Sequence, residues 1–124
     1  MVMIEINIGK QFSDDPSGRY YTDGKGSGEE FREEVLIPSL NEAKEGSKKI
    51  LIILDDEVEG YGSSFLVEAF AGVVKFGHMK ASDLIELLEF SYDDADFEFY
   101  KNRTLQYVNE AKFGSEVYQS TKEE

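Results

Sequence analysis

The sequence predicts a single α/β domain, with a mixed sheet of about four strands and helices mainly on one face. Segments with strand-like and helix-like patterns alternate along the chain, which is typical of such domains. An uninterrupted apolar run at residues 50–54, ILIIL, indicates a central strand. A length of 124 residues fits one domain. We expect the domain to span residues 1–114, followed by a polar, mobile tail at residues 115–124.

Upstream of the central strand, the pattern predicts a strand, a turn and a long helix. Apolar residues alternate with other residues from Val2 to Ile8, which is the period of a half-buried strand. The segment SDDPSG favours a turn, and RYYT after it favours a short antiparallel partner strand. Ser27 and Glu30 match a capping box, so a helix should begin there and should kink or restart near Pro38. Its expected apolar face holds Phe31, Val35, Leu36 and Leu40.

Downstream of the central strand, the pattern predicts a helix, a short helical turn, a strand and a last helix. Gly77 should end the first of these helices as its C-cap. The segment ASDLIEL favours a short helix, LEFSY a strand, and residues 98–112 the last helix. The clearest amphipathic pattern is that of the first helix, with Leu66, Ala69, Phe70, Val73 and Val74 on one face.

Composition excludes several classes of function. Lys and Arg total 13 against 26 Asp and Glu, for a net charge of −13, so nucleic acid and anionic membranes are disfavoured partners. The chain has no cysteine and one histidine, His78, so neither a cysteine-based nor a histidine-rich metal site is expected. No apolar run approaches the roughly 20 residues of a membrane span, and the start lacks signal-peptide features. We expect a cytoplasmic protein without a cofactor.

The stretch GYGSSFLVEAFAG places two serines between a glycine-rich turn and a helix. Ser63 or Ser64 is expected to cap that helix, because a serine oxygen accepts hydrogen bonds from free N–H groups. The same position suits a phosphoacceptor, because a helix N-terminus stabilises a phosphate. A serine hydrolase is disfavoured, since the helix separates these serines from His78 by about 20 Å at 1.5 Å per residue.

Acidic residues after the central strand leave an enzymatic alternative open. Asp55 and Asp56 should lie at the carboxyl end of that strand, where open α/β sheets bind ligands, and carboxylates suit magnesium. A solvated acidic turn is the other interpretation. The glycine-rich segment DGKGSG fails the Walker spacing, but an anion at the helix N-terminus after it is an alternative to a flexible loop.

Two arginines flank that glycine-rich loop. We expect Arg19 or Arg32 to pair with a carboxylate such as Asp23 or Glu29, and so to order the loop before Ser27. The alternative is that both guanidinium groups are solvated. This expectation concerns the order of the loop, and it does not assign a reaction to it.

Three segments together resemble the STAS-like family of bacterial domains of unknown function. They are FSDDPSGR, DGKGSGEEFREEVLIPSL and GYGSSFLVEAFAG, within a match that spans roughly residues 1–111. The resemblance implies a fold like that of anti-sigma-factor antagonists, in which a kinase of the histidine-kinase ATPase type phosphorylates a serine at the start of the second main helix. That position matches Ser63 or Ser64. The antagonists usually carry Asp-Ser-Ser-Gly where this chain has Gly-Ser-Ser-Phe, residues 62–65.

Three functional hypotheses follow. The first is a non-enzymatic regulatory module that binds a kinase-type ATPase or another signalling protein through Gly60, Tyr61, Gly62 and Phe65, and that is switched at Ser63 or Ser64. The second is a nucleotide- or metal-dependent enzyme that uses Asp55, Asp56 and the glycine-rich loop. The third is a structural subunit of a bacterial regulatory or antiphage assembly. The sequence specifies no oligomeric state.

Overall fold

The computed structural model describes residues 3–123, and its centre is a parallel β-sheet. Within those residues the sheet has three strands, β1 (Met3–Asn7), β2 (Lys49–Ile53) and β3 (Leu88–Ser91), in the spatial order β1-β2-β3. Both pairings are parallel, with Ile50 opposite Ile4 on one side and Leu88 on the other. The apolar run ILIIL therefore forms the central strand, as predicted. Val2, the first residue of the predicted first strand, lies outside the described residues.

Helices connect the strands and follow the last one. The α-helices are α1 (Ile8–Gln11), α2 (Gly28–Phe31), α3 (Ile37–Gly46), α4 (Ser63–Leu66), α5 (Gly72–Lys75), α6 (Ala81–Leu87) and α7 (Glu98–Glu110). The π-helical turns Arg32–Leu36 and Val67–Ala71 join α2 to α3 and α4 to α5. The result is a first long helix, residues 28–46, and a second long helix, residues 63–75. No helix within residues 3–123 has the length and apolarity needed to cross a bilayer.

The predicted antiparallel strand at RYYT is wrong, and with it the mixed sheet of about four strands. Tyr21–Asp23 is a 3₁₀ turn, and the Asp23 carboxylate accepts hydrogen bonds from the backbone N–H groups of Arg19 and Tyr20 at 3.0 and 2.8 Å. These bonds close a tight turn and occupy N–H groups that a strand would need. Ile8, predicted to end the first strand, begins α1 instead.

The helices cover one face of the sheet. Ile50 and Ile52 of β2 are fully buried, whereas the alternate residues Leu51 and Ile53 are half-buried on the opposite face. Both parallel connections advance in the same direction across the sheet, so right-handed crossovers place both long helices on the same side. These helices also contact each other and enclose the core between them and the sheet.

Most predicted helix boundaries are confirmed by the hydrogen bonds at the termini. Ser27 is the N-cap of the first long helix, and its hydroxyl accepts from the Glu30 N–H at 3.2 Å. After the π turn, α3 restarts at Ile37 with Pro38 in its first turn, where a missing N–H is tolerated. The second long helix ends at Lys75 in the Schellman pattern, with Gly77 just beyond it at φ +80°.

The polar C-terminal segment returns to the helices. The Gly114 and Glu116 N–H groups donate to the carbonyls of Val74 and Lys75, each at 3.0 Å, at the end of the second long helix. The Tyr118 ring lies against Phe76, with the ring centroids 5.3 Å apart. These contacts within residues 115–123 were not foreseen from the sequence, since the composition of this segment is that of a solvated tail.

The two long helices touch at Gly28. A Cβ on this residue would lie 2.6 Å from the Phe65 carbonyl oxygen and 2.9 Å from the Glu68 Cβ. Both distances are below van der Waals contact, and the nearest atom is backbone. A glycine at this position is therefore what permits the close approach of the helices.

We predict that Gly28→Ala destabilises the protein by about 1–3 kcal/mol, because the added methyl must force the two helices apart. Urea unfolding followed by far-UV circular dichroism measures the change. Gly62→Ala is the matched control: no atom lies within 4 Å of its added Cβ, and we expect a cost below about 1 kcal/mol. Equal stability of the two variants would contradict the tight crossing.

Candidate functional site

Ser63 and Ser64 are the first two residues of the second long helix. Ser63 is exposed and Ser64 is half-buried. The N-cap is Gly62, and no side chain among residues 3–123 caps this terminus. The prediction that a serine side chain caps the helix is therefore wrong. Both serines lie inside the helix, and the N-cap position before them is occupied by Gly62. The hydroxyl of Ser63 is left free of a capping role at a positively polarised helix end.

An aromatic groove adjoins Ser63. It has a volume of about 260 Å³ and lies between the start of the second long helix and α7. The Arg103 guanidinium carbon lies 5.0 Å from the centre of the Phe99 ring, and 56% of Phe99 is exposed. We call this surface the Ser63 groove; it is lined by Tyr61, Ser63, Leu66, Phe99, Tyr100, Arg103 and Tyr107.

Two residues that the sequence assigned to partner contact are part of the core instead. Phe65 is fully buried, and only 8% of Tyr61 is exposed. The Tyr61 hydroxyl donates to the Leu54 carbonyl at 2.6 Å, and burial, together with nearby Asp55, raises the pKa of Tyr61 above its usual value. Apolar side chains after a turn are drawn into the core by the hydrophobic effect, so these residues hold the turn in place from below.

The glycines of the turn have different environments. A Cβ on Gly60 would lie 2.6 Å from the Tyr100 hydroxyl oxygen, so the backbone packs directly against that ring. Gly62 is exposed and faces open space. Of the four residues predicted to bind a partner, Gly62 is the one that is exposed.

The acidic residues after β2 hold the ends of the strands together. The Asp55 carboxylate accepts from the N–H groups of Asp93 and Asp94, at 2.7 and 2.8 Å, in the turn after β3. The Asp56 carboxylate accepts from the Asn7 side chain at 2.8 Å and lies 3.5 Å from the Lys10 Nζ. Within residues 3–123, no group of three or more His, Asp or Glu side chains is arranged to hold a metal. These carboxylates therefore have structural partners.

Residues that precede the glycine-rich loop cap the first long helix. The Gly28 and Glu29 N–H groups donate to the carbonyls of Gly18 and Arg19 at 3.0 and 2.9 Å. The Glu30 carboxylate accepts from the Gly26 N–H at 2.9 Å. Because the free N–H groups of this terminus are already bonded, the anion site considered from the sequence does not form here.

Arg32 is fully buried between the two long helices, and its ion partners differ from those expected. Its Nη1 donates to the Glu68 carboxylate at 2.6 Å and to the Glu68 carbonyl at 2.7 Å, and its Nε donates to Glu33 at 2.8 Å. Burial opposes the charge, but Glu33 and Glu68 outweigh it, so the pKa of Arg32 is above its usual value. Arg19 is also near Glu68, with 3.9 Å between its Nε and the carboxylate. Asp23 and Glu29 bond to other groups.

Two aromatic rings enclose the Arg32 guanidinium. Its central carbon lies 4.7 Å from the centre of the Phe76 ring and 4.8 Å from that of Tyr118. A Cβ on Gly72 would lie 2.5 Å from Arg32 Nη1, so this glycine provides the space for the guanidinium. Among residues 3–123, Nη2 has no hydrogen-bond partner. Stacking on two rings lowers the cost of burying the planar cation.

Glu29 binds the C-terminal segment through neutral donors. Its carboxylate accepts from the Tyr118 hydroxyl at 2.7 Å, from the Thr121 hydroxyl and N–H at 2.6 and 3.0 Å, and from the Tyr21 N–H at 3.1 Å. Burial opposes ionisation, but these bonds outweigh it and hold the pKa of Glu29 below its ordinary value. Burial raises the pKa of Tyr118 to about 12, and the bond to Glu29 adds to this effect.

Residues 27–94, more than half of the 124-residue chain, match the family described as STAS-like domain of unknown function (DUF4325). The chain belongs to this family. No curated protein and no solved structure matches the sequence of this chain significantly. The match covers the first long helix, β2, the second long helix, α6 and β3. Ser63 and the buried Arg32–Glu68 pair thus both lie within the STAS-like segment.

Sequence reasoning missed several residues of this STAS-like domain that the structure brings together. Phe99 and Arg103 come from α7, about 40 positions after Ser63, and their i, i+4 spacing was the one local signal that they share a helix face. Glu68 lies on the helix predicted as amphipathic, but its partner is 36 residues away. The contacts of Tyr118 were not predicted, because it lies in a segment whose polar composition is typical of a solvated tail.

We predict that Arg32→Met destabilises the domain by about 3–5 kcal/mol, because it removes the cation that is hydrogen-bonded to the buried Glu68 carboxylate. The double variant Arg32→Met, Glu68→Met should be more stable than the single variant, since it removes both charges together. Chemical unfolding of the three proteins measures both differences. A double variant less stable than Arg32→Met would show that the pairing does not carry the effect.

We also predict a pH-dependent effect of Glu29→Gln. The pKa of Glu29 falls on folding, so its contribution is present above its ordinary value of 4.5 and is lost as the pH decreases through the folded pKa. At pH 7 the variant should be less stable by about 1–3 kcal/mol, and the difference should narrow in acid. Glu45→Gln, an exposed control, should change little at any pH. A difference for Glu29→Gln that does not vary with pH would contradict this account.

Proposed function

We propose that this STAS-like domain is a non-enzymatic regulatory module that binds a protein partner at the Ser63 groove and is switched by phosphorylation of Ser63. The observation that carries this proposal is the position of Ser63. It is exposed at a helix N-terminus that no side chain among the described residues caps, and it borders a groove that contains Arg103. The kinase would be a partner ATPase of the histidine-kinase type, as the resemblance to anti-sigma-factor antagonists implies.

Exposure and position in the groove support Ser63 over Ser64 as the phosphoacceptor. Ser63 is exposed and lines the groove, whereas Ser64 is half-buried. A phosphate on Ser63 would meet the partial positive charge of the helix N-terminus. Arg103 could form a charge-assisted hydrogen bond with the phosphate, and such bonds are stronger than neutral ones. The phosphate would then occupy the side of the groove that contains Arg103, and it would change the surface that the partner contacts.

The groove also has the composition of a protein-binding surface. The exposed Phe99 ring lies beside Arg103, and aromatic residues and arginine are enriched in protein interfaces relative to the rest of the surface. The net charge of −13 favours a partner with a basic surface, because opposite charges accelerate association. The enzymatic alternative has no comparable support, since Asp55 and Asp56 bond to Asp93, Asp94 and Asn7.

We predict that the domain purified from its native host carries one phosphoryl group on Ser63. Intact-mass measurement and phosphopeptide mapping of the wild type, Ser63→Ala and Ser64→Ala provide the test. The modification should be present in the wild type and in Ser64→Ala, and absent from Ser63→Ala. All three proteins should unfold at similar temperatures, because neither serine is the N-cap. Unmodified wild-type protein, or phosphate retained in Ser63→Ala, would contradict the assignment.

Partner binding is tested separately with variants of the groove. Phe99→Ala and Ser63→Asp should each weaken capture of the partner by about tenfold or more, corresponding to about 1.4 kcal/mol. Phe113→Ala is the matched control, because Phe113 is 52% exposed against 56% for Phe99 and lies outside the groove. If Phe113→Ala weakens binding as much as Phe99→Ala, the partner does not use the Ser63 groove.

A further inference from the structure

A larger cleft lies at the opposite end of the second long helix from Ser63. Its volume is about 600 Å³, and it lies where the chain enters β2 and α6. Lys49, the first residue of β2, and Leu87, the last residue of α6, both contribute to its wall. We call it the lysine cleft. It shares no residue with the Ser63 groove, so its role is independent of the function proposed above.

Cations are concentrated in this cleft. Four of the 13 Lys and Arg residues of the chain line it, against the two carboxylates of Asp83 and Glu86. The lining is therefore positive in a protein whose net charge is −13. The four lysines are Lys44, Lys48, Lys49 and Lys80.

Most of these lysines have no carboxylate partner. The Lys48 Nζ lies 3.8 Å from the exposed Glu42 carboxylate, which is a loose ion pair. Within residues 3–123, no ion pair involves Lys44, Lys49 or Lys80. Their ammonium groups are thus available to an anion from outside the chain.

Helix dipoles explain part of this distribution of charge but not all of it. Lys44 and Lys48 lie at the C-terminal end of the first long helix, where free carbonyl groups favour cations. Lys49, however, is in a strand, and Lys80 is the N-cap residue of α6, where a cation is disfavoured. The local secondary structure therefore does not stabilise the positive charge of either Lys49 or Lys80.

The floor of the lysine cleft is apolar. Ala43 and Met79 are buried beneath it, and Leu87 is half-buried in its wall. Phe113 lies at its edge with 52% of its surface exposed. An apolar group in the cleft would cover this ring and remove it from water, which is favourable.

We infer that the lysine cleft binds a small amphipathic anion, that is, an apolar body with a carboxylate, sulfonate or phosphate head. Its volume is within the range of about 300–1,000 Å³ typical of small-molecule sites. The head group contacts the ammonium groups of Lys49 and Lys80, and the apolar body packs against Phe113 and Leu87. Both halves of the ligand thus have a matching surface in one concave site.

The test uses two probes that differ in charge. Fluorescence titration of the full chain with 8-anilinonaphthalene-1-sulfonate, an aromatic sulfonate, should give saturable binding at one site. N-phenyl-1-naphthylamine, which has the same ring system without the sulfonate, should bind at least about tenfold more weakly. Octanoate should displace the sulfonate probe, and added salt should weaken its binding.

Charge-matched variants locate the site. The double variant Lys49→Glu, Lys80→Glu should lose about tenfold or more in affinity for the sulfonate. Lys25→Glu, Lys101→Glu changes the net charge equally at residues outside the cleft and should retain affinity within about twofold. Phe113→Ala should weaken binding while Phe99→Ala does not. Cooperative urea unfolding of each variant checks that probe fluorescence reports folded protein.

Three outcomes would overturn the inference. Equal affinity for the charged and neutral probes would show that the lysines do not select an anion. Equal loss in the two double variants would show a general charge effect. The third outcome is that the wild type binds no probe saturably but forms concentration-dependent dimers in sedimentation, and that Lys49→Glu, Lys80→Glu abolishes these dimers. A second copy of the chain would then occupy the cleft.

Discussion

The contact between Arg32 and Glu68 fixes how the two long helices meet. Each side chain comes from a different helix and lies in a π-helical turn, which disturbs the regular backbone pattern and leaves the Glu68 carbonyl available to Arg32. Burying such a pair adds little net stability, because desolvation offsets the attraction, but a shift of either helix would leave a buried charge unpaired. The pair therefore specifies the register of the second long helix, and that register sets where Ser63 emerges at the surface.

The same pair explains the order of the C-terminal segment. Tyr118 stacks on the Arg32 guanidinium and donates its hydroxyl to Glu29, so one side chain completes the surroundings of two buried charges. A buried carboxylate is costly unless donors surround it, and Glu29 obtains them from Tyr118 and Thr121. Residues 115–123 thus supply most of the hydrogen bonds that the buried Glu29 carboxylate accepts, and their polar character matches this task.

Local patterns in the sequence predicted the elements well, and their failures have physical causes. The strand at residues 50–54 was recognised from its uninterrupted apolar run, and the helix face containing Phe70 from its periodicity, because both patterns report burial. The segment RYYT was misread because its aromatic residues favour strands, whereas the Asp23 carboxylate closes a turn on it. Arg32 does bind carboxylates, as expected, but not Asp23 or Glu29. Its partner on the other long helix, Glu68, was missed because it is 36 residues away in the sequence. Tyr61 and Phe65 were placed at the surface because a functional motif does not reveal which of its side chains point inward.

The two long helices begin in opposite ways, and this difference bears on function. At the first, the carbonyls of Gly18 and Arg19 and the Ser27 hydroxyl occupy the free N–H groups, so the terminus is closed. At the second, the N-cap is a glycine without a side chain, so the terminus stays open beside Ser63. The adjoining groove is lined by one charged side chain among the described residues, Arg103, whereas the strand ends carry the carboxylates of Asp55 and Asp93. A phosphate on Ser63 would therefore be stabilised by the helix end and Arg103 while it increases the negative charge already present at this end of the sheet. In the proposed switch, the charge of the phosphate would act mainly at the Ser63 groove, because salt screens it over longer distances.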